Sequence, residues 1–528
     1  MGIKVVDLRQ SKWYLGCLDD DIPSDDIVFL VTYFVLSNKD MIYEIVDIKK
    51  RGRPVNPPEY MVALLIYGAL RHIDGTDELA EMAQYHQKFR YVCGDLKPSG
   101  RVLRKFIQEY GNLFKQLLAA TLNLAYTIGL TDFDFVCVDG TIIKATNSPF
   151  NVIYYDDALT LLENLSSDTS SIEAIDDLRR PAKKFYHNSV MSRKRKIELL
   201  NKMLDAMDKT GKEKIPAFDI DSRSMHTKKG YEEPSYNMQL ATDTESKLIC
   251  AVHISQNGSD HHELPPTMDK AIENLPTKPH KVSADTIYKQ ESTLQYLEKE
   301  ELDGIIPDQK QTRINKGTIP DNLFHKDNFI YLFKENVFQC PSGNILEHRS
   351  TTYEESKDDK HTKIPVHSYY NYHACKNCKF QKKCTPKSSI HRVIQERGSQ
   401  LNIDMKYKMN KPEYQEDYKK RGHTAEPPNG TLKEQFHINQ IISRGQQDKE
   451  NKVTLKAVAY NLRVIFNKIL EADETIDFKN IVKYHIDDYM LEISEEFDDI
   501  KFKLIELKKS KSITEEWKNW IYANTHLF

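Results

Sequence analysis

Apolar residues recur at helical spacing from Glu59 to His72, directly after Pro57-Pro58, and the run ends at Gly75. A second helix is expected over about 77–86, with Thr76 or Asp77 as its cap. A third opens after Pro98-Ser99 and runs to Gly129, interrupted near Gly111. Its apolar positions Leu113, Phe114, Leu117, Leu118, Leu122 and Leu124 keep the 3.6-residue period. Residues 55–130 therefore read as an all-α domain, preceded by a segment, 1–54, of short apolar runs, acidic turns and the basic linker Lys49–Pro54. The pattern changes after Asp132. Phe133, Phe135, Cys137 and Val138 predict a buried strand ending in Asp139-Gly140, and Thr141–Ala145 is a second apolar stretch. Strand patterning returns at 236–242 and 248–255, joined by a tight turn near Glu245-Ser246. A helix over about 262–274 follows, then the short strand Val282-Ser283-Ala284-Asp285, a helix over about 289–300 and a strand at 304–307.

Two stretches break this α/β order. Residues 146–220 read as a polar, helical, basic insertion, and 308–410 as a second insertion rich in cysteine. After Tyr418 a helix is expected to start beyond Pro427-Pro428, and a longer one spans about 453–470. The expected organisation is a catalytic α/β domain with a mixed sheet over 131–470, interrupted by both insertions, with an acidic helical region over 471–528.

Three carboxylates stand where chemistry would use them. Asp139 and Asp285 end strands, and Glu426 begins a helix. Strand ends in an α/β sheet gather on one edge, and phosphoryl transfer with two divalent cations about 4 Å apart needs such a set of carboxylates. Each residue alone also has an ordinary use: Asp-Gly is a common turn pair.

The run Phe135-Val-Cys-Val-Asp139-Gly-Thr-Ile-Ile-Lys-Ala145 resembles the first catalytic strand of bacterial insertion-sequence DDE transposases. Tyr236-Asn-Met-Gln-Leu-Ala-Thr-Asp243 is similar to their YNxQ…D strand, and Val282-Ser-Ala-Asp285-Thr-Ile-Tyr288 to their second catalytic strand. Tyr418, Arg421, Glu426 and Lys433 resemble the third block, with Lys433 seven residues after the Glu, and Asn461-Leu462 matches a later helix. The resemblance covers about residues 50–470. It implies an RNase H-like catalytic core in which Asp139, Asp285 and Glu426 hold two Mg²⁺ or Mn²⁺ ions. It implies cleavage and strand transfer on double-stranded DNA, at terminal inverted repeats and at a target. Two departures stand out: Pro428-Asn429-Gly430 replaces an apolar or aromatic residue and Gly, and the Arg421–Glu426 gap is one residue longer. Glu434 is the fallback for Glu426. A DNA nuclease of the same fold without strand transfer, and an inactive DNA-binding descendant, are the alternative readings.

Eight cysteines divide into four scattered ones, Cys17, Cys93, Cys137 and Cys250, and a group of Cys340, Cys375, Cys378 and Cys384. The C-x2-C pair fits one edge of a tetrahedral Zn²⁺ site with Zn–S near ~2.3 Å. Cys340 and Cys384 would complete it, and His373 is a substitute ligand; such a closed shell is structural. Related transposases carry a similar insertion.

Net charge is −3 over 528 residues, which by itself hides any nucleic-acid partner. Local charge is more informative: Arg179–Lys229 holds 15 Lys/Arg against six Asp/Glu. Candidate DNA contacts are Arg193, Lys194 and Arg195 for phosphates, Arg51 and Arg53 for a minor groove, and Arg421, Lys433 and Tyr418 beside the carboxylates. Arg101, Arg104 and Lys105 lie near the start of a helix in the N-terminal domain, where a helix in the major groove would read the element end. Mean hydropathy is −0.61, no apolar run reaches the roughly 18 residues of a membrane span, and Met1–Lys12 has no signal-peptide core. A cytoplasmic protein, nucleoid-associated when on DNA and acting as a homodimer that holds two element ends, is the expectation.

Overall fold

The computed structural model describes residues 17–46, 56–166, 172–226, 230–308, 323–355, 363–385, 389–472 and 475–486. The chain divides into one unit formed by Met1–Pro279 with Thr424–Phe528 and another formed by His280–His423.

Among the described residues of the first unit, seven helices precede the sheet: Ile27–Ser37, Lys39–Ile45, Pro58–Leu70, Thr76–Tyr85, Gln87–Val92, Gly100–Tyr110 and Leu113–Thr127. The apolar run after Pro57 forms the Pro58–Leu70 helix, all of whose residues are buried. The expected cap of the next helix is corrected. Gly75 occupies the N-cap without a side-chain bond, while the Asp77 carboxylate accepts from Arg104 at 3.0 Å. Asp77 is paired with a cation of the Gly100–Tyr110 helix instead of capping its own. The interruption at Gly111 is present, because the Asn451 side chain packs where a Cβ at Gly111 would sit.

The sheet of this unit is antiparallel. Glu232–Asp243 pairs with the first strand, Phe135–Lys144, and also with Arg223–His226 and Ile249–Ser255. The helix Leu264–Asn274 packs against Ile249–Ser255. The basic insertion builds its own small core between the helices Tyr155–Ser166, Arg180–Tyr186 and Arg193–Thr210, closed by the strand pair Val152–Tyr154 and Lys214–Pro216.

A 27-residue helix, Gln446–Ala472, packs against the Pro58–Leu70 and Leu113–Thr127 helices and the Ile249–Ser255 strand. Its buried face carries polar groups. Asn461 is fully buried; its amide donates to Thr121 Oγ1 at 3.0 Å and to the Ile249 carbonyl at 2.9 Å, and its Oδ1 accepts the Ile249 N–H at 2.8 Å. Glu450 takes the Ile254 N–H at 3.1 Å, Lys270 at 2.7 Å and Lys115 at 3.3 Å. The helix start is held by Asp219 and Asp221, which accept from the Gly445 and Gln446 N–H groups at 2.9 and 3.0 Å. These acids suit the positive end of a helix dipole.

The second unit opens with the parallel pair Lys281–Ser283 and Asp303–Ile305, connected through the helix Glu291–Lys299. The chain thus contains both parallel and antiparallel pairing. The cysteine-rich stretch is a five-stranded antiparallel meander: Ile330–Leu332, Val337–Gln339, Ile345–Glu355, Lys363–Tyr370 and Ile394–Arg397. Its core of Phe329, Tyr331, Phe338, Leu346, Tyr369 and Ile394 is covered by Ile403 and Tyr407 of the helix Gln400–Lys408. Buried Glu396 is matched by the Tyr407 hydroxyl at 2.6 Å and by Lys406 and Lys326 at 2.5 and 2.8 Å.

Two element boundaries differ from expectation near the proposed chemistry. Phe135–Lys144 is one uninterrupted strand, so Asp139 lies in its middle and Asp139-Gly140 is not a turn. The ladder to Glu232–Asp243 continues through both residues, pairing Asp139 with Leu240 and Gly140 with Gln239. The helix Pro412–Glu434 runs through Pro427 and Pro428, so Glu426 is interior to it, not at its start. Each proline removes one helical donor and crowds the carbonyl four residues back, but side-chain bonds to the sheet hold this segment on both sides of the pair. Of the 471–528 region, only the helix Phe478–Ile486 and its approach are described.

Burial pushes the Glu450 carboxyl pKa up, but Lys270, the Ile254 N–H and Lys115 outweigh this and leave it below 4.5. A lowered folded-state pKa stabilises above the unfolded value and is lost as pH falls through the folded value. We therefore expect Glu450→Gln to cost about 3–5 kcal/mol at pH 7, the scale for breaking a buried ion pair. Urea unfolding should show the gap between variant and wild type closing below pH 4.5; a gap independent of pH would refute the assignment.

Candidate active site

Strand alternation puts Asp139 and Thr141 on one face of Phe135–Lys144, and Gly140 and Ile142 on the other. The helix Pro412–Glu434 approaches the Asp139 face. Asn429 Nδ2 donates to Asp139 Oδ2 at 2.9 Å, and the Lys433 ammonium donates to Thr141 Oγ1. Lys247, from the turn after Glu232–Asp243, donates to Thr424 Oγ1 at 3.1 Å. Glu426 is exposed and lies three residues before Asn429 and seven before Lys433. That spacing places the three on one stripe of the helix, and Asn429 and Lys433 of that stripe reach the Asp139 strand. Glu434 is the last residue of the helix and is exposed.

The opposite face explains the YNxQ…D pattern. Asn237 and Gln239 both donate to Asp260 Oδ1 at 2.6 Å. A Cβ on Gly140 would lie 2.4 Å from Gln239 Nε2 and 2.6 Å from Asp260 Oδ1, so any other residue there would displace the Gln239–Asp260 pair. The Tyr236 hydroxyl donates to Asp219, and burial followed by that carboxylate pushes its pKa up. Asp243 closes the strand turn by accepting from Ser246 N–H at 2.7 Å and Ser246 Oγ at 2.6 Å. These residues shape the sheet around Asp139 and leave its carboxylate on the side facing the helix.

Asp285 lies in the second unit, two residues beyond its strand rather than at the strand's last position. It caps the turn Thr286–Tyr288 by accepting the Thr286 N–H at 2.6 Å. Asx-type capping suits aspartate here because the chain must leave the sheet and turn at once. Tyr418 lies against Asp285 and Arg421. Burial, then Asp285, pushes the phenol pKa up, while Arg421 pulls it down. One turn away Asp417 pairs with Lys281 and Lys420, both at 2.7 Å. Asp285, Tyr418 and Arg421 thus form one polar cluster within this unit.

The donors present fit a hard divalent cation. The Asp139 carboxylate is half-buried, and the Asn429 Oδ1 next to it is a buried oxygen with no hydrogen-bond partner. Oxygen donors of this kind suit Mg²⁺ or Mn²⁺. Asn429 escaped the sequence reading, although its place between Glu426 and Lys433 at helical spacing was the available signal. Asp260 was also missed; nothing in its local sequence sets it apart.

The four grouped cysteines, Cys340, Cys375, Cys378 and Cys384, line one cavity of about 20 Å³, room for a single water-sized body. Cys340 opens a turn closed by the Gly343 N–H to the Cys340 carbonyl at 2.8 Å, with Gly343 at φ +82°. The C-x2-C turn is closed by the Cys378 N–H to the Cys375 carbonyl at 3.2 Å. Burial, and then the neighbouring cysteines against the pull of Arg392, pushes the Cys384 thiol pKa up. His373 is not part of the cavity wall. Among the described residues, ligand atoms of three such groups come within 4.8 Å of one another at Cys17, Asp19 and Asp20; the cavity cysteines stand farther apart.

Arg193, Lys194 and Arg195 are exposed in the first turn of the Arg193–Thr210 helix, which Ser192 caps. Arg193 Nε donates to the Leu165 carbonyl at 2.6 Å, and Arg195 meets Glu198 at 3.3 Å. Arg51 and Arg53 lie outside the described residues.

A family model described as "Transposase DDE domain" matches residues 212–462, and one described as "Transposase domain (DUF772)" matches residues 16–109. The chain belongs to the insertion-sequence DDE transposases. Asp285 and Glu426 fall within the first matched segment, and Asp139 precedes it, separated by the helical insertion. No curated protein matches this transposase. Among solved structures, a cryo-EM structure of the piggyBac transposase synaptic complex with hairpin DNA is 10% identical over 95% of this chain and 84% of the other, with a TM-score of 0.28. Similarity that low carries no argument about this chain. No described helix of the transposase is long and apolar enough to cross a membrane.

Proposed function

We propose that this transposase cleaves the ends of its element and joins them to target DNA through an RNase H-like core, with Asp139, Asp285 and Glu426 as the carboxylates that hold two Mg²⁺ or Mn²⁺ ions. The observation that supports the reading is the bonding of Asn429 to Asp139 and of Lys433 to Thr141, from the same helix that carries Glu426. Bound there, divalent cations would supply Lewis acidity for in-line displacement at phosphorus. The protein's own groups would orient the reactants. Lys433, held beside Thr141, presents a positive charge to a DNA phosphate near Asp139. Arg421 offers a planar fork for a second phosphate oxygen, and Tyr418 fixes the Asp285 carboxylate through its hydroxyl. Joining two ends in one event calls for two copies of the chain, one per end. Light scattering of the complex with end DNA would count them, and a single copy per complex would remove the homodimer.

The test is incubation with element-end DNA and either metal. Wild type should give 3′-hydroxyl cleavage and joined products. Asp139→Asn, Asp285→Asn and Glu426→Gln should each lose activity by about 10³-fold or more, as expected for members of one catalytic unit. Cleavage without joining would establish the nuclease instead. Tight end binding without chemistry would establish an inactive descendant. If Glu426→Gln alone remained active, the third carboxylate would have to be Glu434.

DNA phosphates are expected at the start of the Arg193–Thr210 helix. Four basic residues in its first turn oppose the helix dipole, a local cost that an anion would repay. Lys196 is buried and spends its ammonium on the Tyr186 carbonyl, and Arg193 is bonded to Leu165. Lys194 is the first contact expected, with Arg195 joining it by exchanging Glu198 for a phosphate. Lys194→Glu with Arg195→Glu should weaken end binding and lower the salt slope by roughly two phosphate contacts, about 0.9 each. An unchanged slope would exclude this surface.

The cysteine cavity is read as a structural Zn²⁺ site. Four thiols, on two turns and the end of the short Gln381–Cys384 helix, around one small space are the donor set zinc takes, and binding would require them to rotate inward and ionise. Metal analysis of the purified chain should find about one zinc, lost in Cys375→Ser together with a drop in Tm. Metal-free protein with an unshifted Tm would make the cluster four reduced thiols.

A further inference from the structure

We propose that Asn429 belongs to the metal-binding set around Asp139, its Nδ2 fixing the carboxylate and its Oδ1 receiving the cation or a water of its hydration shell. The inference rests on the reading of Asp139 as a metal ligand. It concerns a residue that lies where this chain departs from the family pattern.

Asn429 is 7% exposed. Its Nδ2 makes two bonds, to Asp139 Oδ2 at 2.9 Å and to the Ala425 carbonyl at 3.2 Å. Both partners are acceptors, so the orientation of the amide is settled: turning it over would set oxygen against oxygen at both contacts. The Oδ1 is then a buried acceptor without a partner. Such atoms are rare in folded proteins and mark places completed by a water or an ion. A Cβ built on Gly430 meets nothing within 4 Å, and Glu426, one turn earlier, is exposed.

Docking the helix on the strand uses only the donor of this amide. A residue needed only to dock the helix on the strand would use the donor to Asp139 and leave no acceptor buried; Lys433 and Thr424 already tie the helix to the sheet. The two prolines before Asn429 supply no backbone N–H to this face. The amide therefore holds one oxygen of Asp139 in place through its donor and keeps its own neutral oxygen unspent. A neutral ligand adds coordination without the repulsion that a further carboxylate would bring against Asp139.

The experiment is Mn²⁺ titration of the full chain by calorimetry, without DNA, comparing wild type with Asp139→Asn, Asn429→Ala and Asn429→Asp, with Tm measured with and without the metal. Asn429→Ala should weaken the site that Asp139→Asn removes by roughly 10- to 100-fold, the range for groups supporting a metal ligand. Asn429→Asp is nearly isosteric. It should bind Mn²⁺ at least as tightly as wild type while losing Tm without metal and regaining it with metal, because two adjacent carboxylates repel until a cation separates them. Wild-type affinity in Asn429→Ala, beside loss in Asp139→Asn, would overturn the proposal and leave Asp139 a ligand. If Asp139→Asn also bound normally, the metal reading of Asp139 itself would fall, and this inference with it.

Discussion

The first unit depends on how one helix satisfies polar groups in a place with no water. Gln446–Ala472 lies between the N-terminal helices and the sheet, and its buried face carries Asn461, Glu450 and Lys456. An unpaired buried amide or charge is costly, so these residues fit in one arrangement. Asn461 must meet Ile249 and Thr121 together, Glu450 must meet Ile254 and two lysines, and Lys456 must meet Asp74 and the Phe436 carbonyl. Together these contacts tie the Ile249–Ser255 strand, the Leu113–Thr127 and Leu264–Asn274 helices, Asp74 and Phe436 to the same helix. Apolar packing alone would tolerate sliding; this polar set fixes the register and so fixes where the first strand stands.

That strand gives the chemistry its reference point. Asp139 projects from the middle of a continuous ladder, so its backbone is held by pairing on either side. Its glycine neighbour is held flat against Gln239 and Asp260. The helix facing it tolerates two consecutive prolines because Asn429, Lys433 and Thr424 anchor it by side chains rather than by its own backbone ladder alone. The loss of helical donors at Pro427 and Pro428 and the unusual Asn429 are two sides of one local solution.

The second unit follows a different logic. Its meander is small, and its core relies on aromatic side chains packed edge to face, such as Phe338 against Tyr369 and Tyr407. A buried glutamate is neutralised by two lysines and a tyrosine, and the cysteine cavity lies at one end of the same core. The proposed Zn²⁺ site would crosslink this small core, a structural role separate from DNA chemistry.

Much was legible in the sequence where the signal is local. The apolar period of 59–72, the break at Gly111, the turn at Ser246, the polar helical insertion and the four grouped cysteines follow from periodicity, turn chemistry and spacing, which neighbouring residues determine among themselves. The ordered motifs around Asp139, Asp285 and Glu426 were enough to identify the family. Tertiary structure decided the rest. Asp139-Gly140 has the composition of a turn, and only pairing with Glu232–Asp243 makes it mid-strand. Pro427-Pro428 has the composition of a helix boundary, and only anchoring to the sheet carries the helix through it. Asn429 and Asp260 acquire meaning from partners 290 and about 20 residues away in the chain. Side-chain bonds across such separations leave no period in the sequence, because their geometry exists only once the strands and helices have packed.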